Sequence, residues 1–310
     1  HMVAILNHKK FSWHNQPLDL EFGAAWSRDD GQGETLHQML GQLSWLSEQA
    51  GSERRVLALD EEQELVVDQT TEQVRLLMRV KQVLKERALV LYAQPIQNAE
   101  GEGYHEILTR MRCGDSVIMP DQFIPLIVQF NLSQRFDMLV LETLFSSLHQ
   151  HPGQRFSVNL LPSTLMQKDS AAQIIALFQR YRISPDLITI EVTEEQAFSN
   201  ADTSQQNLEA LRAFGCAIAI DDFGTGYANY ERLKHLQADI IKIDGCFVRD
   251  ILTDPLDAIM VKSIVEMARA KQMSVVAEYV ESESQKARLL ELGVNYLQGY
   301  LVGKPQPLGE

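Results

Sequence analysis

Two adjacent carboxylates, Asp221 and Asp222, close the apolar run Ala217-Ile218-Ala219-Ile220 and are followed by Phe223-Gly224-Thr225-Gly226. Neighbouring strand residues point to opposite faces. At a strand end, one carboxylate can face a cavity while the next reaches across from the loop, and two such groups can serve two metal ions about 4 Å apart. The glycines let the chain turn tightly beside them. Polar residues recur near the ends of other apolar runs: Asn159, Glu191, Lys242, Glu278 and Gln298, with Glu106 on a further run. Each alone has an ordinary explanation. The Asp pair could cap a helix or shape a turn. Lys242 could extend to solvent, Asn159 could cap the segment after it, and Glu191 with Glu194 could mark a charged strand-to-helix junction. Together they put several acids at the same end of successive strands. Buried carboxylates are costly unless paired or metal-bound, and converging acids repel one another. An all-oxygen donor set favours Mg2+ or Mn2+.

The elements that must position these residues follow from the texture of the chain after residue 88. Strand candidates are 89–96, 105–111, 155–160, 187–193, 217–223, 239–244, 275–280 and 296–300, mostly separated by helical segments. Eight such runs predict an α/β fold, a TIM-like (β/α)8 barrel whose active site lies at the strand ends. The gap between the first two strands is too short for a crossover helix, so they should pair antiparallel, giving one reversed strand. Before the barrel, a β-like run at 18–25, a turn at Gly31-Gln32-Gly33, a helical pattern at 34–50 and a short strand at 54–60 predict a small α+β fragment. A polar stretch, 61–71, then leads into a helix over 72–87 that joins the two parts. The expected domains are residues 3–66, a linker helix within 67–87, and the barrel over 88–310.

Composition narrows the function classes. The chain has 310 residues, 45% hydrophobic and 23% charged, enough for a barrel-sized core and a smaller piece. Its net charge of −14 disfavours a nucleic acid polymer as partner, and its short basic stretches, Arg54-Arg55 and Lys81 to Arg87, are mixed with acids. Cys113, Cys216 and Cys246 are widely spaced with no CxxC pair, which argues against a disulfide framework or zinc site and for a reducing, cytoplasmic setting. No apolar run approaches the roughly 20 residues of a membrane span, so membrane contact is expected only through regions upstream. His1-Met2 reads as a cloning remnant.

Residues 88–308 resemble the EAL-domain family of cyclic-di-GMP phosphodiesterases. The resemblance is carried, in the family's order and spacing, by YAQPI, EILTR, FIP, VNL, EVTE, IAIDDFGTGYANY, IKID, FV, VVAEYVE and QGYLVGKP. It implies metal-dependent hydrolysis of cyclic-di-GMP to linear pGpG. By the same resemblance, Glu106, Asn159, Glu191 and Asp221 bind one metal ion, and Asp221 bridges to a second shared with Asp222. Glu278 and Gln298 complete the metal and water arrangement, Lys242 holds or activates the nucleophilic water, and Gln94 and Arg110 contact base and phosphate. Glu194 steadies the loop after Asp222, and Glu281 supports the site from further out. Two cations would neutralise the anionic phosphodiester and acidify a water, and a neutral or hydrogen-bonded Lys242 would take part in proton transfer if neighbouring metal ions depress its pKa.

Several positions depart from the family pattern. Ile107 replaces Ala in the signature, and AEYVE carries Tyr279 where Gly is usual, which would narrow the pocket or add a stacking surface. Leu126 to Asn131 replaces an acidic stretch, and Tyr227-Ala228-Asn229-Tyr230 replaces the common serine pair. None removes an implied ligand. The amino-terminal part resembles the second half of a GGDEF domain without the GGDEF signature, so no cyclase activity is expected. The family also implies a homodimer through barrel helices near 227–236. Two other outcomes stay open: a weak or inactive cyclic-di-GMP receptor, and a protein-interaction or RNA-turnover adaptor of the same fold.

Overall fold

The computed structural model describes residues 11–13, 16–18, 24–26, 56–58, 64–114, 116–197, 202–224 and 237–309. The chain divides into two compact units, residues 1–82 and Val83–Glu310. In the first, β1 (Phe11–Trp13) pairs antiparallel with β2 (Gln16–Leu18), and β3 (Ala24–Trp26) pairs parallel with β4 (Val56–Ala58). The expected strand at 54–60 is present as β4; of the run at 18–25, Leu18 lies in β2 and Ala24 and Ala25 in β3, and the rest lies outside the described residues, as does the expected turn at 31–33. The expected helix at 34–50 lies outside the described residues. The joining helix α1 (Glu64–Glu86) starts eight residues before the expected 72. Residues 64–71 contain neither proline nor glycine, so nothing in them stops a helix.

All eight barrel strands form: β5 (Leu89–Gln97), β6 (Gly103–Cys113), β8 (Phe156–Asn159), β9 (Ile188–Thr193), β10 (Ala217–Phe223), β11 (Ile240–Ile243), β12 (Ser274–Ala277) and β13 (Tyr296–Gln298). A short strand β7 (Ser116–Ile118) extends the β6 edge, and β14 (Gln306–Pro307) pairs with β5. The ladder runs β5-β13-β12-β11-β10-β9-β8-β6 and closes through β5–β6. Strands β8 to β13 are mutually parallel, while β5 is antiparallel to both neighbours. The reversed strand is thus the one expected from the short connection. Closure leaves no open edge across the ring.

Alternation along these strands makes two apolar layers. Ile241, Ile243, Val275 and Ala277 face outward onto α8 (Pro255–Ala270), whose Val261, Ile264, Val265 and Ala268 form the buried stripe of one helix face. Asp254 caps that helix through the Leu256 N–H at 2.8 Å, and Pro255 fits its first turn. The following helix α9 (Glu283–Leu292) starts at a Ser282/Gln285 capping box and ends at Gly293, with φ +95°. Inside the barrel, Ile96, Tyr104 and Val276 pack with Ile240 and Tyr296. This layer plugs the barrel beneath the polar strand ends. Between β7 and β8 lie α2 (Pro120–Gln129) and α3 (Ser133–Ser147). The atypical segment from Leu126 forms the end of α2 and its cap, with Leu126 and Ile127 buried.

Candidate functional site

The site begins with register. Glu106 stands opposite Gln94 in the β5–β6 pair, Asn159 is level with Glu191, and Thr193 is level with Asp221. Lys242 lies one position beyond Ile240 and Ile241, which pair with Ala219 and Ile220. Between Ile220 and Phe223 the β10–β11 register shifts, and Asp222 takes a left-handed φ of +54°. This bulge lets two consecutive carboxylates serve one side. Gly224 follows with φ +102°, and a Cβ there would lie 2.6 Å from the Phe247 ring.

Lys242 is the hub. Its side chain is wholly buried, so it does not extend to solvent. Nζ lies 2.8 Å from Glu191 Oε2, 2.8 Å from Glu278 Oε1, 2.9 Å from Asp221 Oδ1 and 3.3 Å from Glu106 Oε2. Burial acts to lower its pKa. The four carboxylates outweigh burial and hold it well above the ordinary lysine range. In the metal-free site these carboxylates favour the ammonium form of Lys242. Burial also raises Glu191 well above the carboxylate range and pushes Glu278 up to about 8, with Lys242 opposing both. For Asp222 the upward causes are burial and then Asp221.

Amides complete the ring. Asn159 Nδ2 donates to Glu106 Oε1 at 2.9 Å and to Glu191 Oε2 at 3.4 Å, joining two acids instead of capping the next segment. Gln298 Nε2 donates to Glu106 Oε2 at 2.5 Å and Gln94 Oε1 at 3.3 Å, and Gln94 Nε2 donates to the Gly303 carbonyl at 3.2 Å. Glu194 Oε2 accepts the Gly224 N–H at 2.9 Å, tying the turn after Asp222 to the β9 end. Two residues named from sequence lie apart from this ring. Arg110 donates to the Thr109 carbonyl at 2.9 Å and stands 5.5 Å over the Tyr92 ring. Glu281 is exposed and bonds through its backbone N–H to Gln285.

The donor set fits divalent cations. Glu106, Glu191 and Asp221 each offer an oxygen within 4.8 Å of the others, and so do Asp221, Asp222 and Glu278. The triplets share Asp221. Glu191 Oε1 is buried with no hydrogen-bond partner, an oxygen left for a cation to meet. Hard oxygen donors of this kind suit Mg2+ or Mn2+ better than softer metals.

Some supporting groups were missed from sequence. Asp137 on α3 is buried and accepts from Leu161 N at 2.9 Å and Thr164 Oγ1 at 2.5 Å, pinning the segment after Asn159. An acid among Phe136, Leu139 and Val140 was the available signal. Gln196 links the β8 and β9 ends through the Leu160 carbonyl and Thr193 N–H. The Tyr104 hydroxyl is buried, without a hydrogen-bond partner, in the layer beneath Glu106.

Comparison with known proteins places this geometry. The family model described as the EAL domain matches residues 77–305. The chain is 59% identical, over its full length, to the probable cyclic di-GMP phosphodiesterase PdeA of Escherichia coli strain K12, and covers 43% of that protein. It is 38% identical to the cyclic di-GMP phosphodiesterase PdeF of the same organism, with 99% of the chain and 42% of the relative covered. It therefore spans under half the length of these curated relatives. Among solved structures, the PaMucR phosphodiesterase in its c-di-GMP complex superposes with a TM-score of 0.70 at 36% identity, over 75% of this chain and 98% of that one.

Proposed function

The chain belongs to the EAL-domain family, and from that premise we propose that its barrel hydrolyses cyclic-di-GMP to linear pGpG with Mg2+ or Mn2+. The observation that carries this is the pair of carboxylate triplets sharing Asp221, gathered about one buried lysine. Glu106, Asn159, Glu191 and Asp221 would hold one cation, and Asp221, Asp222 and Glu278 the other. When bound, the cations supply neutralisation of the phosphodiester charge and a more acidic water.

The chain's own groups then act by position. Lys242 orients the four carboxylates it contacts and, with cations bound, would hold or activate the nucleophilic water. Gln298 holds both Glu106 and Gln94, and so couples the ligand cluster to the side where Gln94 meets a base. Arg110, with donors beyond its bond to Thr109, meets a phosphate. Glu194 fixes the Gly224 turn and thereby the orientation of Asp222.

Residues 3–66 are assigned as a partial GGDEF-like segment joined by residues 67–87 to the barrel, with this part of the protein in the cytoplasm and any membrane anchor upstream of it. Assembly as a homodimer draws support from the exposed apolar residues Leu252, Leu256, Ile259 and Met260, at and before the start of α8. The segment 227–236 expected at that interface lies outside the described residues.

The test incubates the protein with cyclic-di-GMP and Mg2+ or Mn2+ and follows pGpG by chromatography, with Glu106→Ala as control. Metal-dependent pGpG that disappears in the variant is expected. Ligand binding without product makes the barrel a receptor. Neither binding nor product leaves the adaptor.

A further inference from the structure

Tyr279 departs from the family's glycine directly after Glu278. Its backbone keeps the conformation a glycine would favour, φ +54°. The side chain is nevertheless accommodated. Its ring packs on Gly245, just past β11, where a Cβ would fall 2.3 Å from the ring. Glycine at 245 thus makes the room that tyrosine at 279 takes. Half of Tyr279 stays exposed, and the exposed Arg249 holds its guanidinium 5.0 Å over the ring. Among the described residues that guanidinium makes no hydrogen bond or salt bridge, so its planar fork of donors is oriented and unspent.

We propose that Arg249 reads the edge of a guanine base at the rim of the site, donating to its two acceptors O6 and N7, with Tyr279 as the positioning residue that holds the guanidinium flat. This rests on the cyclic-di-GMP reading above. Geometry suits the pairing, because bidentate arginine matches this base edge and stacking on an aromatic ring fixes the plane of the fork. Local charge separates base from phosphate. Asp222, Asp244 and Glu278 surround this part of the rim and act electrostatically on Tyr279. Asp244, which is not among the cation ligands and acts electrostatically on both Arg249 and Tyr279, repels an anionic phosphate and leaves a neutral base edge unpenalised.

The experiment compares kcat/KM on cyclic-di-GMP with kcat/KM on bis(p-nitrophenyl) phosphate, a phosphodiester without a base. The proteins are wild type, Arg249→Ala, Tyr279→Gly and Tyr279→Phe, each with saturating Mn2+. Glycine suits the backbone at 279, so that variant keeps its fold. Relative to the base-free ester, Arg249→Ala and Tyr279→Gly should lose about tenfold or more on cyclic-di-GMP. The loss should fall mainly on KM, and Tyr279→Phe should recover it. A ratio unchanged within about twofold overturns the proposal. So does an equal fall on both substrates, which would put the pair in the chemistry and not in base recognition. If wild type leaves cyclic-di-GMP intact, the functional reading fails, and the Kd for cyclic-di-GMP decides in its place. A tenfold weakening in both variants supports the base contact, and equal affinity or no binding overturns it.

Discussion

Replacing Lys242 with methionine keeps the length of the side chain and removes the one cation that, among the described residues, pairs with Glu106, Glu191, Asp221 and Glu278 in the absence of metal. All four carboxylates approach Nζ within 2.8 to 3.3 Å, and the lysine is wholly buried. Breaking a buried ion pair from one side costs about 3–5 kcal/mol. For a unit the size of Val83–Glu310, each kcal/mol moves the melting temperature by about 2–4 °C. The barrel of Lys242→Met should therefore melt about 6–20 °C below wild type in EDTA at pH 8. At pH 6 the drop should shrink, because carboxylates with raised pKa take up protons in place of the lost charge, and Glu278 already lies at about 8. Adding Mn2+ should recover part of the loss, since the cations bring positive charge to the same oxygens. Scanning calorimetry in EDTA at both pH values, and then with Mn2+, reads all three effects. A variant that melts in EDTA within about 2 °C of wild type at both pH values would refute the view that Lys242 neutralises this cluster.

Mn2+ at about 100 times its Kd should stabilise wild type by about 2.7 kcal/mol, a rise of about 5–11 °C. Asp221→Asn, which touches both triplets, should abolish that rise in thermal melts, whereas Glu278→Gln should leave part of it. Burial pushes the Asp137 carboxyl up to about 7, against the hydrogen bonds from Thr164 and Leu161. Its folded pKa exceeds the unfolded value, so its contribution to stability is complete below about pH 4 and is lost as pH rises to about 7. Asp137→Asn should therefore gain up to about 4 kcal/mol relative to wild type between pH 4 and pH 8 in urea unfolding; a constant difference would contradict the shift. Gly224→Ala places a Cβ 2.6 Å from the Phe247 ring at φ +102° and should cost about 1–3 kcal/mol, with a loss of turnover that a Phe247→Ala background partly restores.

Much of the barrel was legible because period-two apolar runs and the short 97–104 connection dictate strands and one reversal. The ligand cluster was legible because acids and amides recur at equivalent strand ends, where register then brings Asn159 level with Glu191. Other features depend on contacts between distant segments. Nothing in residues 217–223 signals that the register slips between Ile220 and Phe223, since the slip exists only against β11. The partners of Lys242 come from β6, β9, β10 and the residue just past β12, and their summed field, not its own neighbours in sequence, raises its pKa in the metal-free site. Helix α1 begins early because the sequence offered no stop signal, only a polar texture that helices share with loops. At Tyr279 the family pattern pointed to glycine, and the structure keeps glycine's backbone while supplying the ring with a glycine elsewhere, at 245.

The bulge in β10 also says what selection for robustness alone would do to this fold. A regular β10 would pair evenly with β11 and need no left-handed residue, and a non-glycine residue in that conformation carries a cost of about 1–2 kcal/mol, less for aspartate than for most. The irregularity persists where two consecutive acids are wanted on one side. Stability and chemistry therefore pull this strand in opposite directions. Sequence optimisation guided by folding free energy would favour glycine or asparagine at position 222, and the barrel would become sturdier as it lost its second carboxylate.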